Sequence, residues 1–385
     1  MVDSEARSSV ALVRCEDYDR GRVGDAVRRS IELLGGVERF ARPGERIVLK
    51  PNLLAGRAPD RAVTTHPAVF RAVAEVFQEH GCRVSYGDSP GYPVSTASQA
   101  RRAGLADEAD RLGIPLADFG HGADVPFPDG SLIKRFTIAN GILEADGLIS
   151  LPKMKSHGLT RITGAMKNQF GCIPGALKME FHARLPNVDL FSRMLADLNR
   201  LLRPRLCVLD GIVAMEGNGP QSGTPRSMGV LAISEDPVAL DATFSRLVGL
   251  DPELVLPIVH GRDCGLGRSD GFDLVGDPLA TLVAADFDVN RSPQPTTGSP
   301  GRWSRLARRL VVPRPVVVPS RCTRCGICVS VCPVSPKAIE FQHRSHERPP
   351  THRYDRCIRC YCCQELCPEG AIDISVPLLG RAIHH

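Results

Sequence analysis

Apolar residues fall along this chain in two rhythms. Short β-rich runs read as strands: RIVLKPN (46–52), CRVSYGD (82–88), GLISLPK (147–153), RLCVLDG (205–211) and GVLAIS (229–234). Between them, apolar positions recur every three to four residues. Thr65-His66-Pro67 opens one predicted helix, with Val69, Phe70, Val73, Val76 and Phe77 on one face and Gly81 closing it. Asn187 starts another, carrying Val188, Phe191, Met194, Leu195, Leu198 and Leu202. Asp236-Pro237 supplies an N-cap and a first-turn proline for a third, with Leu240, Phe244, Leu247 and Val248 before Gly249. This alternation predicts an α/β fold with a mostly parallel sheet flanked by helices.

Polar, glycine-rich segments follow each predicted strand. They are KPN (50–52), GDSPG (87–91), LPKMKSHG (151–158), LDGIVAMEGNGP (209–220) and SEDP (234–237). In open parallel sheets, ligands bind at the carboxyl ends of strands. Residues 151–171 hold Lys153, Lys155, His157, Arg161 and Lys167 with no acid, in a chain otherwise balanced at 48 basic to 43 acidic residues. A solvated surface loop is the plain alternative. The position after an apolar strand instead predicts a pocket for a small anion. His157 is then the acid–base candidate and Lys155 acts beside it; Lys153 and Lys167 neutralise charge. His66, His182 and Cys172 are weaker candidates.

Gly87, Gly91, Gly217, Gly219 and Gly223 are placed to bring backbone N–H groups near an anion. No Walker loop or G-x-G-x-x-G is present, so a nucleotide stays only a low-ranked cofactor. Asp88, Asp210 and Glu216 are candidate Mg²⁺ ligands or plain turn-formers.

The carboxyl-terminal end changes the picture. Of fourteen cysteines, nine fall between residues 322 and 367. CTRCGICVSVCP (322–333) and CIRCYCCQELCP (357–368) each read C-x2-C-x2-C-x3-C-P, with 24 residues between Cys332 and Cys357. In this bacterial ferredoxin run the fourth cysteine of each motif serves the other cluster. One [4Fe–4S] cluster is expected on Cys322, Cys325, Cys328 and Cys367, and a second on Cys357, Cys360, Cys363 and Cys332. Zinc is the alternative, but it has no use for a third Cys at x2 or for the trailing Pro. Cys362 is surplus and reads as a spare thiol. The His/Arg/Pro-rich spacer between the motifs reads as a surface loop.

At 385 residues the chain should hold more than one domain. The expected division is an α/β domain at 1–288, a Pro/Arg-rich linker at 289–320, a small α+β bacterial ferredoxin-like domain at 321–376 and a tail at 377–385. Arg302, Arg305, Arg308 and Arg309 cluster in the linker. A net charge of +5 gives no ground for nucleic acid. No signal peptide or transmembrane segment is read, so a cytoplasmic location is expected.

KPN (50–52), TTHP (64–67), GDSPG (87–91), LPKMKSHGLTRITGAMKNQFGCIPG (151–175), and LDGIVAMEGNGPQSGTPR with SEDPVALDA (209–242) together resemble the domain-of-unknown-function family numbered 362. Many members carry the same paired ferredoxin motifs. The resemblance implies an iron–sulfur protein whose reaction is not generally assigned. It adds Lys50, Asn52, Asp88 and Asn168 to Lys153, Lys155, His157 and Lys167 as lining of one pocket. The expected function is an iron–sulfur oxidoreductase passing electrons from a low-potential partner protein to a small anionic substrate. Two alternatives are an electron carrier whose α/β domain docks a partner or senses a ligand, and an ATP- or metal-dependent ligase or transferase.

Overall fold

In this computed structural model, residues 8–91, 95–175, 177–185, 187–292, 313–342 and 346–377 are described. Nine strands build one sheet. They are β1 (Ser9–Arg14), β2 (Arg46–Pro51), β3 (Arg83–Tyr86), β6 (Gly147–Leu151), β7 (Lys153–His157), β8 (Arg161–Thr163), β9 (Leu206–Glu216), β10 (Thr224–Ser234) and β11 (Asp273–Gly276). β4 (Gly122–Pro126) and β5 (Arg135–Ala139) form a separate antiparallel pair. The main order is β11-β1-β10-β9-β6-β2-β3, with β7 joining β9 and carrying β8. The pairs β1–β11, β2–β3, β2–β6, β6–β9 and β7–β9 are parallel, so the sheet is mostly parallel. The pairs β1–β10, β9–β10 and β7–β8 are antiparallel.

Strand side chains alternate between two cores, as a period of two requires. Ile47, Leu49, Leu231 and Ile233 meet the helices Arg20–Leu33 and Pro67–Glu79 on one face. Val230, Ala232 and Leu209 meet the helix Pro237–Leu247 on the other. The expected caps are present. The His66 side chain accepts from the Ala68 N–H, Asn187 from Leu190, and Asp236 from Val238 and Ala239.

Three expectations are corrected. Residues 151–158 are not a loop: β7 runs through them, and all five of its residues are buried. Residues 209–216 continue β9, which turns directly into β10 without a helix between them. Val289 packs into the second core and Arg314–Val317 is a strand, so the linker is shorter than 289–320 at both ends. The arginines at 302–309 and the tail beyond residue 377 lie outside the described residues.

In the small domain β12 (Arg314–Val317) pairs antiparallel with β15 (Ile372–Ser375), and β13 (Ile339–Glu340) with β14 (Thr351–His352). The last pair lies in the spacer between the cysteine motifs, which is therefore partly sheet rather than all loop. A four-residue helix, Cys362–Glu365, faces the α/β domain. Gln364 Nε2 donates to Asn218 Oδ1 at 2.7 Å and to the Gly219 carbonyl at 3.1 Å. Gln221 Nε2 donates to the Cys367 carbonyl at 3.0 Å. Two glycines permit this approach. A Cβ on Gly91 would stand 2.3 Å from Leu366 Cδ2, and one on Gly158 2.4 Å from Ile374 Cδ1. Gly91, read from sequence as an anion-binding glycine, serves domain contact.

Candidate functional site: a cavity between the two domains

Lys153, Lys155 and His157 stand two residues apart on β7 and share one side of it, while Met154 enters the core opposite. Each meets a different environment. Lys153 Nζ lies 2.8 Å from Asp210 Oδ2 and donates to the Tyr18 hydroxyl at 2.7 Å. That hydroxyl donates to Asp210 Oδ1 at 2.8 Å, and the His66 ring stacks on Tyr18 at 3.5 Å. Burial lowers the Lys153 ammonium from its ordinary value, with Asp210 opposing. Burial also pushes His66 down to about 4. Each of these groups is already satisfied.

Lys155 Nζ donates to Asn52 Oδ1 at 2.9 Å and to the Val63 carbonyl at 2.7 Å. No carboxylate pairs with it among the described residues. Burial pushes it well below the ordinary lysine range, and Lys167 and Lys153 add to the push. His157 Nδ1 accepts from the Leu159 N–H at 2.9 Å, and its Nε2 faces Glu365 Oε1 at 2.9 Å. Burial lowers the imidazole, with Glu365 opposing. Burial would raise the Glu365 carboxyl, but His157 and Lys167 outweigh it and hold the acid well below its usual range.

Beyond His157 the two domains enclose a cavity of about 100 Å³. From the α/β side it is lined by Lys50, Asn52, Asp88, Lys167, Asn168 and Lys178, with Thr163 and His182 among the rest. Cys362, Glu365 and Leu366 of the small domain complete its wall. Lys50 Nζ pairs with Asp88 Oδ1 at 2.8 Å and donates to Asn168 Oδ1 at 3.0 Å. Lys178 is pushed to about 8 by burial, with Asp88 opposing; among the described residues its ammonium donates to the Ser89 carbonyl, the Ser89 hydroxyl and the Pro90 carbonyl, which engages its three donors. Lys167 sits over the rings of Phe170 and Phe191, and no ion pair holds it among the described residues. Burial drives His182 to about 4.

Of the residues expected in one pocket, Lys50, Asn52, Asp88, His157, Lys167 and Asn168 do meet. Lys153 and Lys155 do not line the cavity. Both are held farther back along β7 by partners that the sequence did not connect to them. His157 lines the cavity, with backbone N–H groups on Nδ1 and Glu365 of the small domain facing Nε2. Cys172 is fully buried, does not line the cavity, and has its thiol pushed up to about 12 by burial. Sequence reasoning missed Thr163, Lys178 and Glu365. The only available signal was Lys178 lying just beyond GCIPG.

In the small domain Cys322, Cys325, Cys328 and Cys367 line one hollow, and Cys332, Cys357, Cys360 and Cys363 line another. That grouping is the crossed one the spacing predicts. Among the described residues no three His, Cys, Asp or Glu side chains converge as a site for a single metal ion. Four thiols at each hollow match the donor set of a [4Fe–4S] cluster, while Asp88 is paired with Lys50 and Asp210 with Lys153. Among the described residues no helix is long and apolar enough to cross a membrane.

Comparison with known proteins yields two family matches. The model described as a domain of unknown function (DUF362) matches residues 47–246, and a 4Fe-4S dicluster domain matches residues 318–371. A thylakoid-associated protein of Synechocystis is 38% identical over 259 residues, covering 67% of this chain and 80% of that protein. Among solved structures, the lactate racemase apoprotein of Thermoanaerobacterium thermosaccharolyticum aligns with TM-score 0.40 at 13% identity, over 63% of this chain and 57% of that one. A Thermotoga maritima protein aligns with TM-score 0.37 at 12% identity, over 58% of this chain and 57% of its own. The chain thus spans little more than half of each of these structures.

Proposed function

The chain belongs to the family described as a domain of unknown function (DUF362), and from that premise we propose that it is an iron–sulfur oxidoreductase acting on a small anion in the cavity between its two domains. Its carboxyl-terminal part is a 4Fe-4S dicluster domain of the ferredoxin type, suited to electron transfer. The eight cysteines of the two hollows are the proposed ligands, and the clusters they hold supply electrons one at a time.

One observation carries the reading. The helix Cys362–Glu365 holds the proposed ligand Cys363 and gives Cys362 and Glu365 to the cavity wall. Cluster and cavity therefore share a wall four residues long. Lys167 and Lys178 attract the anion, because among the described residues no carboxylate forms an ion pair with either one. Lys50 is already paired to Asp88, and with Asn168 it shapes the floor. Leu366 and Phe170 give the wall its apolar part. The electron donor is a low-potential partner protein, reached on the side where Cys325 is exposed. A cytoplasmic site of action goes with this reading.

The test begins with anaerobic reconstitution, iron and sulfide analysis, and EPR before and after dithionite. Small carboxylates and oxyanions are then screened for reoxidation of the reduced protein. Near eight iron per chain is expected from two clusters, with one anion class discharging them. Eight iron with no anion that discharges them or raises the melting temperature would leave an electron carrier. Zinc in place of iron would remove both readings.

A further inference from the structure

Two side chains in the cavity wall have no task in the account so far. The first is Cys362. It lines neither four-cysteine hollow, yet it is 4% exposed and faces the cavity between the domains. The second is Thr163, at the end of β8. It is 3% exposed, lines the same cavity, and its hydroxyl has no hydrogen-bond partner among the described residues. An unsatisfied buried hydroxyl carries an unrecovered desolvation cost, which a bound acceptor offsets. Lys167 and Lys178 stand in the same wall without an acid, whereas the two acids present are engaged, Asp88 by Lys50 and Glu365 by His157.

We propose that the cavity seats a small organic carboxylate, its charged end on Lys167 and the Thr163 hydroxyl beside the charge of Lys178, and its other end against the Cys362 thiol. This rests on the reading that the cavity takes a small anion, and it names the anion's class and the group at its reacting end. A monoanion fits better than a phosphate dianion, because Asp88 and Glu365 remain in the wall and repel the second charge. The size agrees. At ~30 Å³ per water, 100 Å³ gives room for on the order of three waters, and so for a ligand of a few heavy atoms. Cys362 lies next to the proposed cluster ligand Cys363, so the far end of such a molecule meets the thiol nearest the electron source.

Iodoacetate is an acetate ion bearing its reactive carbon away from the charge, and iodoacetamide is its neutral counterpart. In either reaction the thiolate sulfur bonds to carbon, the carbon–iodine bond breaks and iodide leaves. The cluster-loaded protein is treated anaerobically with each reagent. Labelling at Cys362 is followed by peptide mass spectrometry, with iron content measured before and after. Relative to free cysteine, Cys362 is expected to favour iodoacetate by about tenfold or more, since a cationic cleft concentrates anions to that degree. The preference should fall several-fold in Lys167→Met and in Lys178→Met at unchanged iron content, and Cys362→Ser should remove the label.

An unlabelled Cys362 in iron-replete protein would overturn the proposal. So would a preference equal to that of free cysteine, or one that both lysine variants leave intact. Failure of the oxidoreductase reading looks different. There Cys362 would keep its charge preference while reduced clusters discharge to nothing.

Discussion

Near one end of β7, Lys153, Asp210, Tyr18 and His66 form a closed set: Asp210 takes both the ammonium and the phenol, and His66 stacks on the ring. Beyond the other end, Lys167 and Lys178 have no carboxylate, and Thr163 has no partner at all among the described residues. Both regions are cationic, the first buried and the lysines of the second half-buried, and both come from the same basic stretch and its neighbours. The difference is what remains unsatisfied. Buried charges that are fully paired hold a fold in register; charges and hydroxyls left over in a cavity are what a ligand finds. Counting lysines does not separate the two.

The comparison is broken most severely from the closed side. Asp210→Ala strands Lys153, the Tyr18 hydroxyl and the His66 backbone N–H, and losing one partner of a buried pair costs about 3–5 kcal/mol. The midpoint of chemical denaturation should fall accordingly, and a shift near zero would mean that the closed set is not structural. The next effect depends on pH. His182 has its folded pKa depressed from 6.5 to about 4 by burial, with Lys167, His157 and Lys178 adding to the depression and Glu365 opposing. Its neutral form therefore contributes stability that is present above the unfolded value and lost as pH falls from about 6.5 through 4, at most ~3 kcal/mol. In a urea titration across that window, His182→Phe should flatten the acid limb; an unchanged slope would assign it to other groups.

Lys155 tests the middle ground. Lys155→Met keeps the volume but leaves Asn52 Oδ1 and the Val63 carbonyl without their donor, for about 1–3 kcal/mol. The melting temperature should drop while anion binding survives in the folded fraction. Loss of binding at unchanged stability would return Lys155 to the pocket. The smallest stability change belongs to Lys167→Met, within about 0.5 kcal/mol because no partner is stranded. The same variant should lose the thermal stabilisation conferred by small carboxylates. A large fall in stability would show that Lys167 is held structurally after all.

Local signals were legible wherever local chemistry decides the outcome. Helix starts at His66, Asn187 and Asp236 follow from side chains that accept nearby N–H groups, and the cysteine spacing groups the eight thiols in two crossed sets. β7 was not legible as a strand. Its polar side chains look solvent-facing, and only contacts 57, 103 and over 200 residues away make them buried. The β9–β10 turn was hidden by glycines that suggested a ligand loop. Lys50, Asp88, Lys167 and Asn168, expected in one pocket, do line one cavity. Thr163, Cys362 and Glu365 were beyond reach, because their importance lies in what the second domain brings to them or leaves open.

The helix Cys362–Glu365 is only four residues long, too short to be stable by itself. Its neighbours Cys360, Cys363 and Cys367 are committed to the two hollows that flank it. Iron supply then becomes a condition for having a binding chamber at all. A chain starved of metal is expected to fold its sheet and helices but lack one wall, so the protein would assemble its cavity and its proposed clusters in a single maturation event.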